Sequence, residues 1–313
     1  MKHKIFVDGQ EGTTGLKIDD YLSLREDIEL LKIDSEKRKD PKERKKLINK
    51  ADIVFLCLPD EAAREAVLMI ENEKTKVIDA STAHRTDTDW VYGFPELSPN
   101  QREKIKNSKR VSVPGCYATG FVSLIYPLIS RGILQKDYPV TCCGISGYSG
   151  GGKNLIKSYE AGAINNIHSH KYYGLGLKHK HIPEMQIVTG LDYPPVFTPI
   201  VQNYYNGMTV SIPLANRLLN KSIYNLQELF EDYYKGESFV RVIPKDYKEY
   251  LDNGFLDAEG CNNTNRLDIF VFGNEEEILL TARLDNLGKG ASGAAIQNMN
   301  IMLGLKEDIG LIK

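Results

Sequence analysis

Apolar positions in the first hundred residues fall into short runs divided by amphipathic stretches. Lys4 to Val7 reads as a strand, and Leu16, Ile18, Tyr21 and Leu22 then recur at helical spacing. Ile28 to Ile33 is a second strand, followed by a highly charged segment from Asp34 to Lys50. Ile53-Val54-Phe55-Leu56-Cys57-Leu58 is continuously apolar and is stopped by Pro59. That is the pattern of a strand buried on both faces of a parallel sheet. Glu61 to Glu71 has helical spacing, and Val77-Ile78-Asp79 is another short strand. Strand and helix alternating at this rhythm predict an α/β, doubly wound parallel sheet.

The texture changes after Cys116. Ala118 to Ser130 suits a helix, and strand-like runs then dominate: Val140 to Ile145, Phe197 to Val201, Met208 to Ile212, Leu267 to Phe272 and Ile278 to Leu284. Ile223 to Tyr234 is the one clear helical stretch among them. Strands with few helices predict an α+β domain with a mostly antiparallel sheet. Gly290 to Leu305 is rich in Ala and Met at helical spacing and is expected to return to the first domain. The expected division is 1–115, an NADP-binding domain completed by a C-terminal helix 290–313, and 116–289, a catalytic and dimerisation domain.

Composition narrows the class without naming it. The chain has 313 residues, 42% hydrophobic and 26% charged, with a formal net charge of -2. That is ordinary for a globular protein and gives nucleic acid no electrostatic footing. No apolar run approaches the roughly 20 residues that cross a bilayer, and the first residues lack the pattern of a signal peptide. A cytoplasmic location is expected. The five cysteines, at 57, 116, 142, 143 and 261, include no Cys-x-x-Cys pair. Neither a disulfide framework nor a structural zinc site is expected.

Gly9, Gly12 and Gly15, with Thr13 and Thr14 between them, lie between the first strand and the first helix. Glycines there allow a tight turn and close approach to a pyrophosphate, which the helix N-terminus then attracts. The spacing is G-x-x-G-x-x-G rather than G-x-G-x-x-G, and a plain turn is the plainer reading; its place makes a Rossmann-like dinucleotide-binding domain the better one. An acid usually closes the second strand of an NAD site. Here Asp34 is followed at once by Ser35, Lys37, Arg38 and Lys39. Cations at that point accept a 2′-phosphate, which favours NADP over NAD; otherwise the run is a solvated turn.

Val111-Ser112-Val113-Pro114-Gly115-Cys116-Tyr117 leads from a strand through a sharp turn into a helix. A thiol at a helix N-terminus is favoured as thiolate. A thiolate beside a nicotinamide can attack an acyl carbon and form a thioester, the species that accepts hydride. Cys57 reads as inside a buried strand, Cys142 and Cys143 point to opposite faces of another, and Cys261 sits in a polar loop with no visible partner. Local geometry alone leaves Cys116 balanced between nucleophile and buried thiol.

The segment Val-Pro-Gly-Cys-Tyr closely resembles the nucleophile segment of the N-acetyl-γ-glutamyl-phosphate reductases, relatives of aspartate-semialdehyde dehydrogenase. Further segments agree in order along nearly the whole chain: Asp79-x-Ser81-x-x-x-Arg85, Tyr92-Gly93-Phe94-Pro95-Glu96-Leu97, Ser146-Gly147-x-Ser149-Gly150-x-Gly152-Lys153, His179-Lys180-His181-Ile182-Pro183-Glu184 and Asp285-Asn286-Leu287-x-Lys289-Gly290. The Gln10, Glu11 and paired Thr of the glycine loop, and the chain length, resemble the family's short subtype. The resemblance implies NADPH-dependent reduction of N-acetyl-γ-glutamyl phosphate to the semialdehyde in arginine biosynthesis. It implies Cys116 as nucleophile, His179 or His181 as acid/base with Glu184 orienting an imidazole, Ser81 and Asn286 near the cofactor, and a homo-oligomer.

His179 and His181 are two apart, and in an extended segment they would face one side. His168 and His170 share the spacing, but nothing completes a metal site, so no metal is expected. The substrate is an anion, so cations are needed. Arg85, at the carboxyl end of a strand, and Lys153, after glycines whose N–H groups with Ser146 and Gly147 could cradle an oxyanion, are the candidates; each is equally readable as a surface charge. The alternatives are the same chemistry on aspartyl or carrier-linked glutamyl or aminoadipyl phosphate, a non-catalytic NADP-binding sensor, or a cysteine hydrolase, which the glycine loop argues against.

Overall fold

The computed structural model describes residues 2–219 and 224–313, and the chain divides into two compact units. The first runs to Gly115 and is joined by Ala291–Leu311; the second is Cys116–Gly290 with the last two residues.

The first unit is built from β1 (His3–Asp8), α1 (Thr13–Ser23), β2 (Ile28–Leu31), α2 (Pro41–Lys50), β3 (Ile53–Leu56), α3 (Asp60–Leu68), β4 (Lys76–Asp79), β5 (Val91–Tyr92), α4 (Gln101–Asn107) and β6 (Arg110–Ser112). The sheet order is β2-β1-β3-β4-β6-β5, with every pairing parallel. Successive strand residues point to opposite faces, so the apolar runs feed two cores. Ile5, Val7, Ile53 and Phe55 pack with Ile18 and Leu22 of α1 and Ile105 of α4. Phe6, Val54 and Leu56 pack with Ile48 of α2 and Ala63 and Ala66 of α3. The charged segment after Asp34 contains α2, whose Asp40 N-cap accepts a bond from the Lys42 N–H and whose first position is Pro41.

The C-terminal helix Gly293–Met302 belongs to this unit and is buried along its whole length. Ala294, Ala295 and Met299 complete the core on the α1 side. Its polar residues are also engaged: Asn298 Nδ2 donates to the Gly93 carbonyl at 2.8 Å, and Gln297 Nε2 to Glu96 Oε1 at 2.9 Å. Such a helix is hydrogen-bonded into place as well as packed.

The second unit contains α5 (Cys116–Ser130), β7 (Thr141–Gly147), α6 (Gly152–Glu160), β8 (Lys171–Tyr172), α7 (Ile182–Thr189), β9 (Val196–Gln202), β10 (Met208–Ala215), α8 (Tyr224–Tyr233), β11 (Val240–Val242), β12 (Leu267–Gly273) and β13 (Glu277–Leu284). Its sheet order is β11-β12-β13-β10-β7-β9-β8, with four of the six pairings antiparallel. The sheet is therefore mixed but mostly antiparallel, as expected. Helix α5 approaches it closely: a Cβ at Gly120 would lie 2.7 Å from Val210 Cγ2.

Three expectations need correction. The second unit is more helical than its strand runs predict, because α6 and α7 are short and their apolar positions too few to show a period. Pro183 at the start of α7 and Gly190, left-handed at its end, were the legible signals. Cys57 lies just past β3 rather than inside it. Cys261 is buried and does have a partner, its Sγ lying 3.3 Å from Asp268 Oδ2. Ile223, where a helix was expected to begin, lies outside the described residues.

Asp268 is a fully buried carboxylate held by three arginines, with Arg241 Nη2 and Arg283 Nη2 at 2.9 Å and Arg266 Nε at 3.0 Å. Burial raises its pKa, but hydrogen bonds from Arg241 and Arg283 outweigh it and hold the carboxyl below its ordinary range. With the folded value depressed, the stabilisation is present above the ordinary value of about 4 and is lost as pH falls through the folded value. Asp268→Asn is expected to lower stability by about 3–5 kcal/mol at pH 7. Urea melts of the two proteins should converge as the pH is taken below about 4.

Candidate active site

In the first unit the sequence places its glycines where side chains cannot go. Gly9 has φ +92°, and a Cβ there would overlap the carbonyl oxygen of Cys57. A Cβ at Gly15 would overlap the Gly9 carbonyl oxygen. Gly12 is the N-cap of α1 and Thr13 its first residue, with no side chain capping the helix. The result is a bare main-chain cradle at a helix N-terminus, which suits a phosphate. Behind it Asp8 is buried against Arg44, whose Nη2 lies 2.8 Å from Oδ2. Burial raises the Asp8 pKa, and Arg44 offsets this in part.

Ser35, Lys37 and Arg38 are exposed on the turn after β2. Arg38 is paired with Glu11, which ties this cationic turn to the glycine loop. Ser81 follows β4, and its hydroxyl donates to Asp79 Oδ2 at 2.7 Å. The same carboxylate oxygen lies 2.6 Å from His84 Nδ1, and the imidazole stacks on Trp90 at 4.1 Å. Arg85, expected to face substrate, instead grips main chain: Nε donates to the Val113 carbonyl at 2.9 Å and Nη2 to the Ala80 carbonyl at 3.1 Å. The Val113 N–H donates to the Asp79 carbonyl at 2.7 Å. The guanidinium thus braces the strand-to-turn segment that leads to Cys116.

In the second unit Cys116 is the first residue of α5 and is half-buried. Gly290 backs it closely: a Cβ at Gly290 would lie 2.8 Å from Cys116 Cβ. Tyr117 follows, and its ring lies against Gly144 of β7, where a Cβ would come within 2.5 Å of Cδ1. Tyr173 Oη donates to Tyr117 Oη at 3.1 Å, and Tyr117 Oη donates to the Ile200 carbonyl at 3.3 Å. Burial raises the pKa of both hydroxyls.

The Tyr117 ring also meets His179 and His181, with centroids 5.9 and 6.0 Å away. The two imidazoles are edge to face at 4.7 Å. They do not lie on an extended segment: His181 is the N-cap of α7, so the chain turns between them. His181 is buried, whereas His179 lines a cavity of about 750 Å³ together with Tyr117 and Tyr173. Glu184 is buried in the first turn of α7.

Ser146 and Gly147 line the same cavity. Lys153 is exposed on the first turn of α6; the cavity's lysines are Lys171 and Lys180. Lys180 stands between the two histidines and was legible there. Lys171 and Tyr173, on and just after the two-residue edge strand β8, carried no sequence signal. Asn286 was expected at the cofactor. Its amide is engaged within the second unit, donating to Ser149 Oγ at 2.9 Å and accepting from the Gly207 N–H at 2.8 Å. It staples the turn after β7 to the loop before β10.

Comparison with known proteins places this geometry. Residues 4–108 match the family model for the semialdehyde dehydrogenase NAD binding domain, and 116–286 that for the semialdehyde dehydrogenase dimerisation domain. An N-acetyl-gamma-glutamyl-phosphate reductase 2 from a Nostoc species is 52% identical over 99% of both chains. A protein of the same name from Pseudomonas putida is 47% identical over 96% of both. The chain belongs to the N-acetyl-gamma-glutamyl-phosphate reductase family. Aspartate semialdehyde dehydrogenase from Francisella tularensis shares the fold, with a TM-score of 0.73, 13% identity and coverage of 97% of this chain and 100% of that one. Within the reductase family fold, no helix among the described residues is long and apolar enough to cross a membrane.

The glycine cradle makes a graded prediction. Gly9→Ala combines a left-handed φ with overlap on the Cys57 carbonyl, whereas Gly132→Ala, at φ +67°, meets nothing within 4 Å. The Gly132 variant should cost about 1–2 kcal/mol. The Gly9 variant should cost more, and it alone should weaken NADPH binding, by about tenfold or more (about 1.4 kcal/mol). Thermal melts and a nucleotide fluorescence titration measure the two effects.

Proposed function

We propose that this protein catalyses the NADPH-dependent reduction of N-acetyl-γ-glutamyl phosphate to N-acetylglutamate 5-semialdehyde and phosphate, a step of arginine biosynthesis in the cytoplasm. The observation that carries the reading is Cys116 at the N-terminus of α5, directly before Tyr117, whose ring meets His179 and lines the same cavity. Relatives at 47–52% identity bearing the reductase name support the substrate.

The first unit is assigned the dinucleotide and the second the acyl chemistry and subunit assembly, in a homodimer or tetramer. The main chain from Gly9 to Gly15, with Thr13 and Thr14, would hold the pyrophosphate; the cradle has room for it because Gly9 and Gly15 carry no Cβ. Ser35, Lys37 and Arg38 would meet a 2′-phosphate, and Ser81 lies at the carboxyl end of a central strand, where such sheets bind ligands. Bound there, the cofactor would supply hydride to the acyl carbon.

The remaining steps fall to the chain's own residues. The helix N-terminus stabilises a thiolate on Cys116. Its sulfur attacks the γ-acyl carbon, a C–S bond forms, and the C–O bond to phosphate breaks, leaving a thioester. His179, rather than the buried His181, addresses the carbonyl oxygen. Lys171 and Lys180, with Ser146 and the Gly147 main chain, complement the anionic substrate. Arg85 keeps the turn before Cys116 in place, and Asn286 holds the loops behind it.

The other four thiols provide an internal control. Burial raises the pKa of Cys57, Cys142 and Cys143 and pushes Cys261 up to about 11. Iodoacetamide at neutral pH should therefore modify Cys116 ahead of the rest. Incubation with acyl phosphate but no cofactor should leave the acyl group on Cys116, located by mass spectrometry. In the reverse assay, NADP reduction by the semialdehyde with phosphate present, Cys116→Ser should lose at least about 10³-fold in turnover. Turnover near that of the parent would overturn the mechanism.

A further inference from the structure

We infer that the α6 wall of the cavity in the second unit receives the acyl group on the substrate's amine, and that the protein therefore also reduces N-acyl-γ-glutamyl phosphates with acyl chains longer than acetyl. The inference rests on the proposed acyl-phosphate reduction and extends its substrate class.

The wall is one face of a short helix. Asn154, Leu155, Ser158 and Tyr159 all line the cavity, and they form two i, i+4 pairs on α6. The apolar members are held in place. Leu155 lies over Gly151, where a Cβ would overlap its Cδ2. Tyr159 is buried and stacks on Tyr148, with centroids 4.6 Å apart and planes 9° from parallel. Gly162 then takes φ +65°, its N–H donates to the Tyr159 carbonyl at 3.2 Å, and the Ala163 N–H donates to the Ser158 carbonyl at 2.9 Å. This left-handed turn ends the helix and returns Ile164 to the same wall.

The chemistry of the lining decides which part of the substrate goes there. Tyr117, which directly follows Cys116, marks where the acyl phosphate reacts. The amine is joined to the reacting carbon by a three-carbon stem. Among the described residues the aliphatic side chains of the lining are Leu155, Ile164 and Val201, and the first two belong to this wall. The acyl chain is the apolar appendage of the substrate and gains by burial there. Beside it, the Asn154 side chain offers a donor and an acceptor for the amide. Ser158 Oγ donates to the Asn154 carbonyl at 2.9 Å, which leaves its oxygen to accept from the amide N–H. The lining carries Lys171 and Lys180 and, among the described residues, no carboxylate. A free ammonium would meet like charge without a counter-ion, and acylation removes that charge.

The space exceeds what acetyl requires. The cavity holds about 750 Å³. At the roughly 30 Å³ that a water occupies in the liquid, the about 17 non-hydrogen atoms of N-acetyl-γ-glutamyl phosphate fill about 500 Å³. The remainder admits several further methylenes. A longer acyl chain leaves the reaction unchanged: the Cys116 sulfur displaces phosphate, the thioester accepts one hydride from NADPH, and the C–S bond breaks to free the thiolate and the semialdehyde.

The reverse assay reads this directly, with NADP, phosphate and either N-acetyl- or N-butanoylglutamate 5-semialdehyde. In the parent, kcat/KM for the butanoyl substrate should lie within about tenfold of that for acetyl, or above it, since a buried methylene contributes up to about fourfold. Ile164→Trp fills the wall and should lower the butanoyl-to-acetyl ratio of kcat/KM by about tenfold or more. Leu155→Ala removes apolar contact and should lower the ratio by about fourfold. Both changes should fall on KM rather than kcat, because the acyl chain is remote from the reacting carbon. A parent that handles butanoyl more than about tenfold worse than acetyl, or a ratio that neither variant moves, overturns the inference while the reductase reading stands. Turnover of neither semialdehyde by the parent fails the reductase reading and this inference with it.

Discussion

The second unit is organised around one close approach, an aromatic ring laid on bare backbone. Tyr117 can lie where it does because residue 144 has no side chain, and the sheet strand beneath it therefore acts as a flat seat. The seated ring leaves its hydroxyl to bond the Ile200 carbonyl and its edges to meet Phe197 and both histidines. Because Tyr117 directly follows Cys116, fixing the ring also fixes the first turn of α5. Cys116, the hydroxyl pair and the imidazoles are thus positioned by one steric allowance in a neighbouring strand.

Much of the fold was legible because its signals are local. The alternation Ile53-Val54-Phe55-Leu56 divides neatly between two cores, as an all-buried parallel strand should. The Gly9 turn, Pro41 at a helix start and the apolar C-terminal stretch were likewise readable. Helices α6 and α7 were not, because eight or nine residues give too few apolar repeats to outweigh the strands around them. Their capping residues held the information instead.

The site was legible in its motifs and obscure in its pairings. Cys116 opens α5, and Ser146, Gly147 and His179 line one cavity, whereas the extended pairing that the histidine spacing suggested is broken by the turn into α7. Arg85 and Asn286 show the limit of reading charge or polarity as ligand contact: each satisfies main-chain or side-chain partners within its own unit. Which histidine faces the cavity depends on where α7 begins, a turn that residue spacing does not report. Lys171 and Tyr173 arrive through the pairing of β8 with β9, a contact that only tertiary structure creates.

The C-terminal helix carries a consequence for how the protein is made. The whole stretch 116–290 separates Gly115 from Ala291, yet both segments belong to one hydrophobic core. A chain emerging from the ribosome exposes the strands of the first unit long before Ala294, Ala295 and Met299 can cover them. The second unit, contiguous apart from its last two residues, can close earlier. The segment up to Gly115, made before the second unit, is therefore finished after it, and its apolar face must be kept from other chains in the interval.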